Sequence, residues 1–223
     1  MDGNRRWARA NAFELAQGHN AGADKFGHLC EWCLQAGVPF LTVYAFSTEN
    51  WKRADKEISH LFGLMERHFL QEKERCVEKG IKIAIIGERG RFPARLAGIM
   101  SEMERATAGC GKLLVQIALG YGGRDELARA AKKIARDAKA GVLDENGITE
   151  EVFESYLDTA GVPDVDLVIR TGGAENMRLS NFLLWQCAYS EFFFSDLLWP
   201  EFTQEEFRRA LSHFGEARRR LGK

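Results

Sequence analysis

The sequence carries no excess of charge of either sign. Its 223 residues include 31 lysines and arginines and 32 aspartates and glutamates, so the net charge at pH 7 is −1. A protein that binds nucleic acid across a whole face usually has a clear surplus of basic residues. We therefore expect no nucleic-acid partner, and any site for an anionic ligand has to be local.

Long hydrophobic runs and a regular set of cysteines are also lacking. No apolar stretch approaches the roughly 20 residues that a helix needs to cross a bilayer. Charged residues begin at Asp2, so no cleavable signal pattern opens the chain. The five cysteines are odd in number and lie in apolar surroundings, which argues against a disulfide framework. These absences predict a reduced, cytoplasmic protein.

One pair of cysteines has a spacing that suits metal or redox chemistry. Cys30 and Cys33 form a C-x-x-C inside an amphipathic helix pattern, "HLCEWCLQAG", and no second pair accompanies them. Zinc binding and redox use stay open as alternatives. We favour packing, because a buried free cysteine behaves as a small hydrophobic residue.

Apolar runs with the length of strands alternate with segments that have helical periodicity. The predicted strands are 40–46, 81–86, 113–119 and 166–170, and the predicted helices include 55–79, 124–140, 149–158 and 204–220. The last helix starts from Thr203 with Glu206 three residues on, which predicts a capping box. Because strands and helices alternate without a repeat or linker, we predict one α/β domain over residues 1–223, with a mostly parallel central sheet flanked by helices.

Polar and glycine-rich segments follow each predicted strand. They read "STENWKR", "GERGRF", "GYGGRDE" and "RTGG" in chain order. Parallel sheets bind ligands at the carboxyl ends of their strands, and exposed N–H groups together with arginine forks suit phosphate oxygens. For each loop taken alone, a simple tight turn is the favoured interpretation. The combination favours phosphate binding, since uncompensated arginines at the edge of a core are costly.

The usual nucleotide motifs are absent. No G-x-G-x-x-G follows a strand, and "AGCGKLL" lacks the first glycine and the Ser/Thr of a P-loop. A nucleotide-binding enzyme is therefore only a fallback. The opening "MDGNRRWA" combines a carboxylate, an amide and two arginines. Composition leaves two interpretations of it open, a surface ion pair and a magnesium site completed by substrate phosphates.

Five segments together resemble the cis-prenyltransferases, the family of undecaprenyl and dehydrodolichyl diphosphate synthases. They are "MDGNRRWA", "GHNAGA", "YAFSTENWKR", "GYGGRDE" and the stretch 166–202 that begins "DLVIRTGG". The resemblance implies a fold with an elongated apolar tunnel, usually as a homodimer. It also implies a magnesium-dependent reaction, in which isopentenyl diphosphate is added to an allylic prenyl diphosphate with a new Z double bond. An apolar product implies transient membrane association on release.

The resemblance also implies roles for individual residues. Asp2 would handle the metal, Glu191 would be a further metal carboxylate, and Asn50 would remove a proton or orient a water or the departing diphosphate. The allylic diphosphate would contact Gly3, Asn4, Arg5, Arg6, Trp7 and His19. Residues lining the gap between the substrates would be Ser47, Thr48, Glu49, Asn50, Trp51 and Arg53. Isopentenyl diphosphate would be held by Arg170, Arg178, Leu179 and Ser180.

Other matches to the family concern the tunnel and the chain end. Candidate residues of the tunnel wall, which sets product length, are Phe26, Ala45, Met65 and Leu113. For any one of them, ordinary core packing is the favoured interpretation. Arg220 and Gly222 match a C-terminal R-x-G that reaches a neighbouring subunit's active site in the family. A basic helix end is also what helix electrostatics alone favours.

The sequence departs from the family pattern in three places. The apolar strand that precedes the first motif is missing before Met1, so either the native chain begins upstream or Asp2 lies on a frayed terminus. Leu15 stands where many members have an arginine, and two additional residues separate Arg170 from Arg178. Two alternatives therefore accompany the elongating enzyme. They are a non-catalytic partner subunit, and a prenyl transferase that uses another acceptor or an irregular coupling.

Overall fold

The computed structural model describes residues 1–173 and 177–217. Its helices are α1 (Asn4–Ala10), α2 (Leu15–Ala36), α3 (Asp55–Lys79), α4 (Ala94–Ala106), α5 (Gly123–Lys139), α6 (Glu150–Ser155) and α7 (Gln204–Glu216). Its strands are β1 (Phe40–Ser47), β2 (Ile81–Ile86), β3 (Leu113–Tyr121), β4 (Leu167–Arg170) and β5 (Glu191–Phe194). Each predicted strand coincides with an observed one to within two residues.

Three strands form a parallel sheet in the order β1–β3–β2. The central strand β3 is buried along almost its whole length, as expected for a parallel strand that has neighbours on both edges. Both outer strands are less covered, with buried residues alternating with more accessible ones over part of their length. The predicted α/β class with parallel strands is confirmed.

The fourth predicted strand lies outside this sheet. β4 pairs in parallel with β5, with Leu167 opposite Glu191 and Arg170 opposite Phe194, and the pair forms a separate two-stranded sheet. The prediction of one central sheet was therefore incomplete, and β5 was not predicted. The reason is that strand partners are chosen by tertiary packing, on which the periodicity of a four-residue apolar run carries no information.

The main hydrophobic core lies between this sheet and helices α2, α3 and α4. Cys30 and Cys33 belong to it, and all five cysteines are free. Burial raises the pKa of the Cys33 thiol to about 12 and that of Cys30 still further. Burial of both side chains in the main core agrees with the packing role that we favoured for the C-x-x-C pair, and a thiol with a raised pKa stays protonated near neutral pH.

The last helix starts at Gln204 as predicted, but its capping box is incomplete and its C-terminal end comes earlier than predicted. Thr203 Oγ1 accepts a hydrogen bond from Glu206 N at 3.1 Å, which is half of the expected capping box. The Glu206 carboxylate does not complete the box, because it accepts hydrogen bonds from buried Ser195 Oγ at 2.7 Å and from Arg209 at 2.6 Å. The helix ends at Glu216, and the predicted residues Arg220 and Gly222 lie outside the described part of the chain.

The four tunnel-wall candidates have different environments. Leu113 is fully buried in the main core, Phe26 and Met65 pack on that core half-buried, and Ala45 is exposed. The tunnel itself stays a prediction. Within residues 1–173 and 177–217, no helix has both the length and the apolar composition that a membrane crossing requires.

Candidate active site

The segments that follow β1, β3 and β4 meet at one place. Ser47 and Tyr121 pair at the carboxyl ends of their strands. Asn181, in the loop after β4, contacts both of the other segments. The backbone oxygen of Asn181 accepts from Gly123 N at 2.7 Å, and the side-chain NH₂ of Asn181 donates to Glu49 Oε1 at 3.0 Å. Partial burial alone would raise the pKa of Glu49, but its hydrogen bonds, including that from Asn181, lower the pKa below its ordinary value. The predicted convergence of strand ends is therefore present in the molecule.

Asp2 lies against the end of β4. Arg170 Nη2 donates to Asp2 Oδ2 at 3.1 Å, and Arg6 Nη2 lies 3.6 Å from Asp2 Oδ1. The backbone of Asp2 is also fixed: its N–H donates to Thr171 Oγ1 at 3.0 Å, and its carbonyl accepts from Trp199 N at 2.9 Å. The frayed position that was one of two expectations for Asp2 is thus not what the structure has.

Glycine is required beside this ion pair. Gly172 has φ of +110°, and a Cβ atom there would lie 2.7 Å from Arg6 Nη2 and 3.2 Å from the Asp2 side chain. An L-residue would be strained by the backbone and would collide with the two charged side chains. Gly172 thus allows residues 1–6 to approach the loop after β4.

The loop from residue 177 onward is held by Arg170 as well. Arg170 Nη1 donates to Ser180 Oγ at 2.7 Å and to the Arg178 carbonyl, so the guanidinium holds this loop as well as Asp2. Leu179 packs on a small second core cluster around Tyr121 and Leu183. The two additional residues predicted here fall around 174–176, outside the described residues.

The two predicted metal carboxylates do not lie together. Glu191 pairs with Leu167, whereas the arginine that holds Asp2 pairs with Phe194, three positions further along the ladder. That offset corresponds to roughly 10 Å along a strand. Asp2 alone fits a magnesium ion that also binds substrate phosphates, because its side chain is 42% exposed and its oxygens face a cluster of arginines suited to diphosphate.

A second cationic cluster surrounds one carboxylate oxygen of α3. Glu57 Oε1 lies 3.0 Å from Arg53 Nη1, 3.4 Å from His19 Nε2 and 4.0 Å from Arg5 Nε. Burial and then the Arg53 guanidinium lower the pKa of His19 below its ordinary value, and Glu57 opposes part of that shift. Three of the predicted substrate residues, Arg5, His19 and Arg53, therefore converge on Glu57, which was not predicted as a site residue.

The first helix reaches this cluster because α1 and α2 pack closely. A Cβ atom at Gly22 would lie 2.4 Å from Asn4 Oδ1, so only glycine permits the contact. Asn4 Oδ1 is buried and has no hydrogen-bond partner. An unpaired buried amide oxygen is costly unless a ligand or water satisfies it, which agrees with the predicted role of Asn4. Gly3 is buried, Trp7 is half-buried, and the Trp7 ring lies 5.5 Å from that of Phe13.

The segment after β1 supplies an amide and an aromatic ring. Asn50 Oδ1 accepts from Ser47 N at 3.0 Å, which leaves its NH₂ group as a donor. Trp51 packs against Phe46 and Phe92, with ring centroids 4.9 and 5.1 Å away. The Arg91 guanidinium, from the segment after β2, lies over the Trp51 ring at 4.4 Å. All four predicted strand-end segments thus contribute to one region.

Four residues of this region were not predicted from the sequence. They are Glu57, Arg91, Thr171 and Asn181. Arg91 and Thr171 stood inside quoted segments but received no role, and Asn181 directly follows Ser180. Glu57 gave the weakest signal, because an acidic residue in the first turn of a helix is ordinary.

Comparisons with known proteins agree with this geometry. The model of the family described as putative undecaprenyl diphosphate synthase matches residues 1–222. The chain is 44% identical over its whole length to the ditrans,polycis-undecaprenyl-diphosphate synthase of Pseudomonas putida, which is (2E,6E)-farnesyl-diphosphate specific, and covers 88% of that protein. It is also 44% identical over its whole length to the geranylgeranyl-diphosphate specific tritrans,polycis-undecaprenyl-diphosphate synthase of Methanopyrus kandleri, and covers 82% of it.

A solved structure gives the same result at the level of the fold. The lavandulyl diphosphate synthase of Lavandula x intermedia, in complex with dimethylallyl diphosphate, superposes with a TM-score of 0.96 at 32% identity, over 100% of this chain and 95% of that one. The family match, the full-length identity and the shared fold point the same way. The chain belongs to the cis-prenyltransferase family of prenyl-transferring enzymes.

Proposed function

We propose that this protein condenses isopentenyl diphosphate with an allylic prenyl diphosphate and so builds a Z-polyprenyl diphosphate, releasing diphosphate. The observation that carries the proposal is the surplus of positive charge in the clusters around Asp2 and Glu57, where four guanidinium groups share these two carboxylates. Arginine binds phosphate oxygens in pairs, so such a surplus suits two diphosphate groups.

The allylic diphosphate is assigned to the region of α1 and His19. Gly3, Asn4, Arg5, Arg6 and Trp7 lie at the start of α1, and the first N–H groups of a helix, which have no acceptor within it, favour an anion. Negative charge develops on the departing diphosphate as its bond to carbon breaks. Fixed arginines and N–H groups that face that charge stabilise the transition state more than the ground state.

Isopentenyl diphosphate is assigned to Arg170, Arg178 and Ser180, with Leu179 anchoring their loop in the core. The segment from Ser47 to Arg53 then lies between the two substrates. Asn50, whose amide oxygen is used by Ser47, would orient the reacting groups as a donor, because a neutral amide is a poor proton acceptor.

Magnesium is the proposed cofactor, and Asp2 is the residue that would hold it. Bound there, it would offset part of the negative charge on the departing diphosphate. Glu191 is separated from Asp2 within one chain, so its proposed role as a metal ligand depends on a second chain.

We propose a homodimer on the basis of the small sheet. All eight residues of β4 and β5 are only half-buried, although parallel strands are usually covered on both faces and a two-stranded sheet is marginally stable alone. A second copy would supply the missing cover.

Three further expectations stay predictions: a single domain over the whole chain, a cytoplasmic location, and transient membrane contact on product release. The predicted location rests on the five free cysteines.

The proposal is tested by turnover of labelled isopentenyl diphosphate with magnesium and each of dimethylallyl, geranyl, farnesyl and geranylgeranyl diphosphate. Products are resolved by length. We expect chain growth with at least one primer and a loss of at least about 10²-fold in Asp2→Ala. Asp55→Asn, which removes an exposed carboxylate in the first turn of α3, is the matched control and should keep normal turnover.

A second candidate is coupling without elongation. The close superposition on a structure that holds dimethylallyl diphosphate favours including it. A reaction with dimethylallyl diphosphate alone, without isopentenyl diphosphate, separates the two. Product in that reaction, with no chain growth in the others, would overturn the elongating function.

A further inference from the structure

We infer that Glu57 is a positioning residue that sets both the geometry and the diphosphate affinity of the Glu57 cluster, namely Arg5, His19, Arg53 and Glu57. The inference rests on the proposed function, since it assumes that this cluster receives the allylic diphosphate. One oxygen, Glu57 Oε1, lies within 4.0 Å of a nitrogen from each of the other three side chains. These side chains come from α1, α2 and the segment after β1, so the carboxylate is their common contact.

A carboxylate is needed where these groups converge. The side chain of Glu57 is only 15% exposed and that of His19 8%, so the cluster is poorly solvated. Arg5 and Arg53 would repel each other there without an anion between them. Glu57 is also in the first turn of α3, where the helix dipole stabilises negative charge. The cluster is therefore held in place before any substrate arrives.

The same carboxylate opposes substrate binding. A diphosphate bound at this cluster would use the N–H donors that now face Glu57, and its negative charge would be repelled by the carboxylate. The guanidinium groups can serve both partners, because the side chains of Arg5 and Arg53 are 44% and 25% exposed. Glu57 thus fixes the geometry of the donors at the expense of affinity.

These two effects have opposite signs when Glu57 is changed. Glu57→Gln keeps an oxygen that accepts from Arg53 but removes the charge. Inorganic diphosphate should then bind about tenfold more tightly, the order expected for one like charge at a partly screened site. Turnover should fall about tenfold, since the cations are held less firmly and diphosphate leaves more slowly. General structural damage would weaken both binding and turnover.

The test measures binding separately from turnover. Inorganic diphosphate is titrated calorimetrically into the full-length protein with isopentenyl diphosphate at saturation and no allylic primer, so no reaction occurs. Asp55→Asn is the matched control, because it removes a charge from the same helix turn without touching the cluster, and its affinity should equal that of the wild type. Glu57→Asp retains the charge but shortens the reach, so it should lower kcat with little change in affinity.

Tighter diphosphate binding together with lower kcat in Glu57→Gln is the expected result. Unchanged or weaker binding in Glu57→Gln would overturn the inference, as would an equal gain in Asp55→Asn. A wild-type protein that fails to elongate any primer would instead refute the proposed function, and the calorimetric comparison would still report on Glu57.

Discussion

Replacing Asn181 with alanine is expected to loosen the loops that form the candidate active site. The side chain of Asn181 accepts from Arg124 N at 2.9 Å and donates to Glu49 Oε1 at 3.0 Å. It thereby joins the segments after β1 and β3 to the loop after β4. Its backbone has φ of +63°, a conformation that asparagine tolerates better than alanine.

The expected loss of stability follows from three contributions. A hydrogen bond to a neutral backbone group contributes about 1 kcal/mol and one to a carboxylate about 1.5 kcal/mol at a partly exposed site. Alanine at positive φ adds about 1 kcal/mol of strain. We therefore expect Asn181→Ala to lower the free energy of unfolding by about 3.5 kcal/mol.

Two further variants separate these contributions in urea denaturation. Asn181→Gly removes both side-chain bonds without the strain, so it should cost about 1 kcal/mol less than Asn181→Ala. Asn181→Asp keeps the acceptor for Arg124 N but places a carboxylate beside Glu49. It should destabilise the protein less below about pH 4, where carboxylates protonate, than at pH 7. Turnover of Asn181→Ala should fall about tenfold, because the segment with Asn50 is no longer fixed.

The unfolding midpoints show whether Asn181 holds these loops together. If Asn181→Ala and Asn181→Gly unfold at the same urea concentration as the wild type, with unchanged slopes, the loops are held by other contacts. If the two variants differ from wild type but not from each other, the hydrogen bonds matter and the positive φ does not.

Four other predictions follow from buried or half-buried groups. Glu126, 1% exposed, accepts from Tyr121 Oη, Gln186 Nε2 and a backbone N–H, so Glu126→Ala should lower the free energy of unfolding by about 3–5 kcal/mol in urea titrations. The lowered pKa of His19 means that the unfolded chain binds its proton more readily. Stability should therefore fall as pH drops below about 6.5, and His19→Asn should flatten that dependence in unfolding midpoints measured between pH 7 and 5. Of the five thiols only that of Cys110 is not buried, so a thiol reagent should modify one equivalent quickly and the remainder only on unfolding. Leu15→Arg should lower KM for the allylic primer several-fold in steady-state assays, because it adds a guanidinium at the start of α2.

Regular elements were predictable because their signals are local. The helix over 55–79 was predicted from apolar residues at steps of three and four, with Gly80 at its end. It occurs with those bounds, and Gly80 has φ of +73°, as a helix-ending glycine should. The predicted role of Glu206 in the capping box of α7 was wrong because the partner of its carboxylate is not local. Its carboxylate accepts a hydrogen bond from Ser195, which lies eleven residues earlier, directly after β5, and periodicity carries no information about that partner.

For the candidate site, the sequence predicted individual residues but not the partners that they contact. Arginines and glycines after strands identified the region, and the family motifs identified Asp2 and Arg170. Their mutual contact spans 168 residues of sequence, and that of Asn181 with Glu49 spans 132. Glu57 was missed because its importance comes from which cations fold around it.

The arginines of the candidate site are partly compensated by carboxylates, contrary to the expectation from the sequence. The arginines at the strand ends were expected to be uncompensated, whereas Arg170 faces Asp2 and Arg53 faces Glu57. The anion site follows instead from the excess of guanidinium groups over carboxylates. Asp2 also lies beside Arg6, and Glu57 beside Arg5, so four guanidinium groups share two carboxylates and a net charge of +2 remains. His19 does not alter this near neutral pH, since its pKa is lowered. Paired arginines keep a fixed geometry while their surplus charge is left for the ligand, and a fixed geometry is what catalysis by charge stabilisation requires.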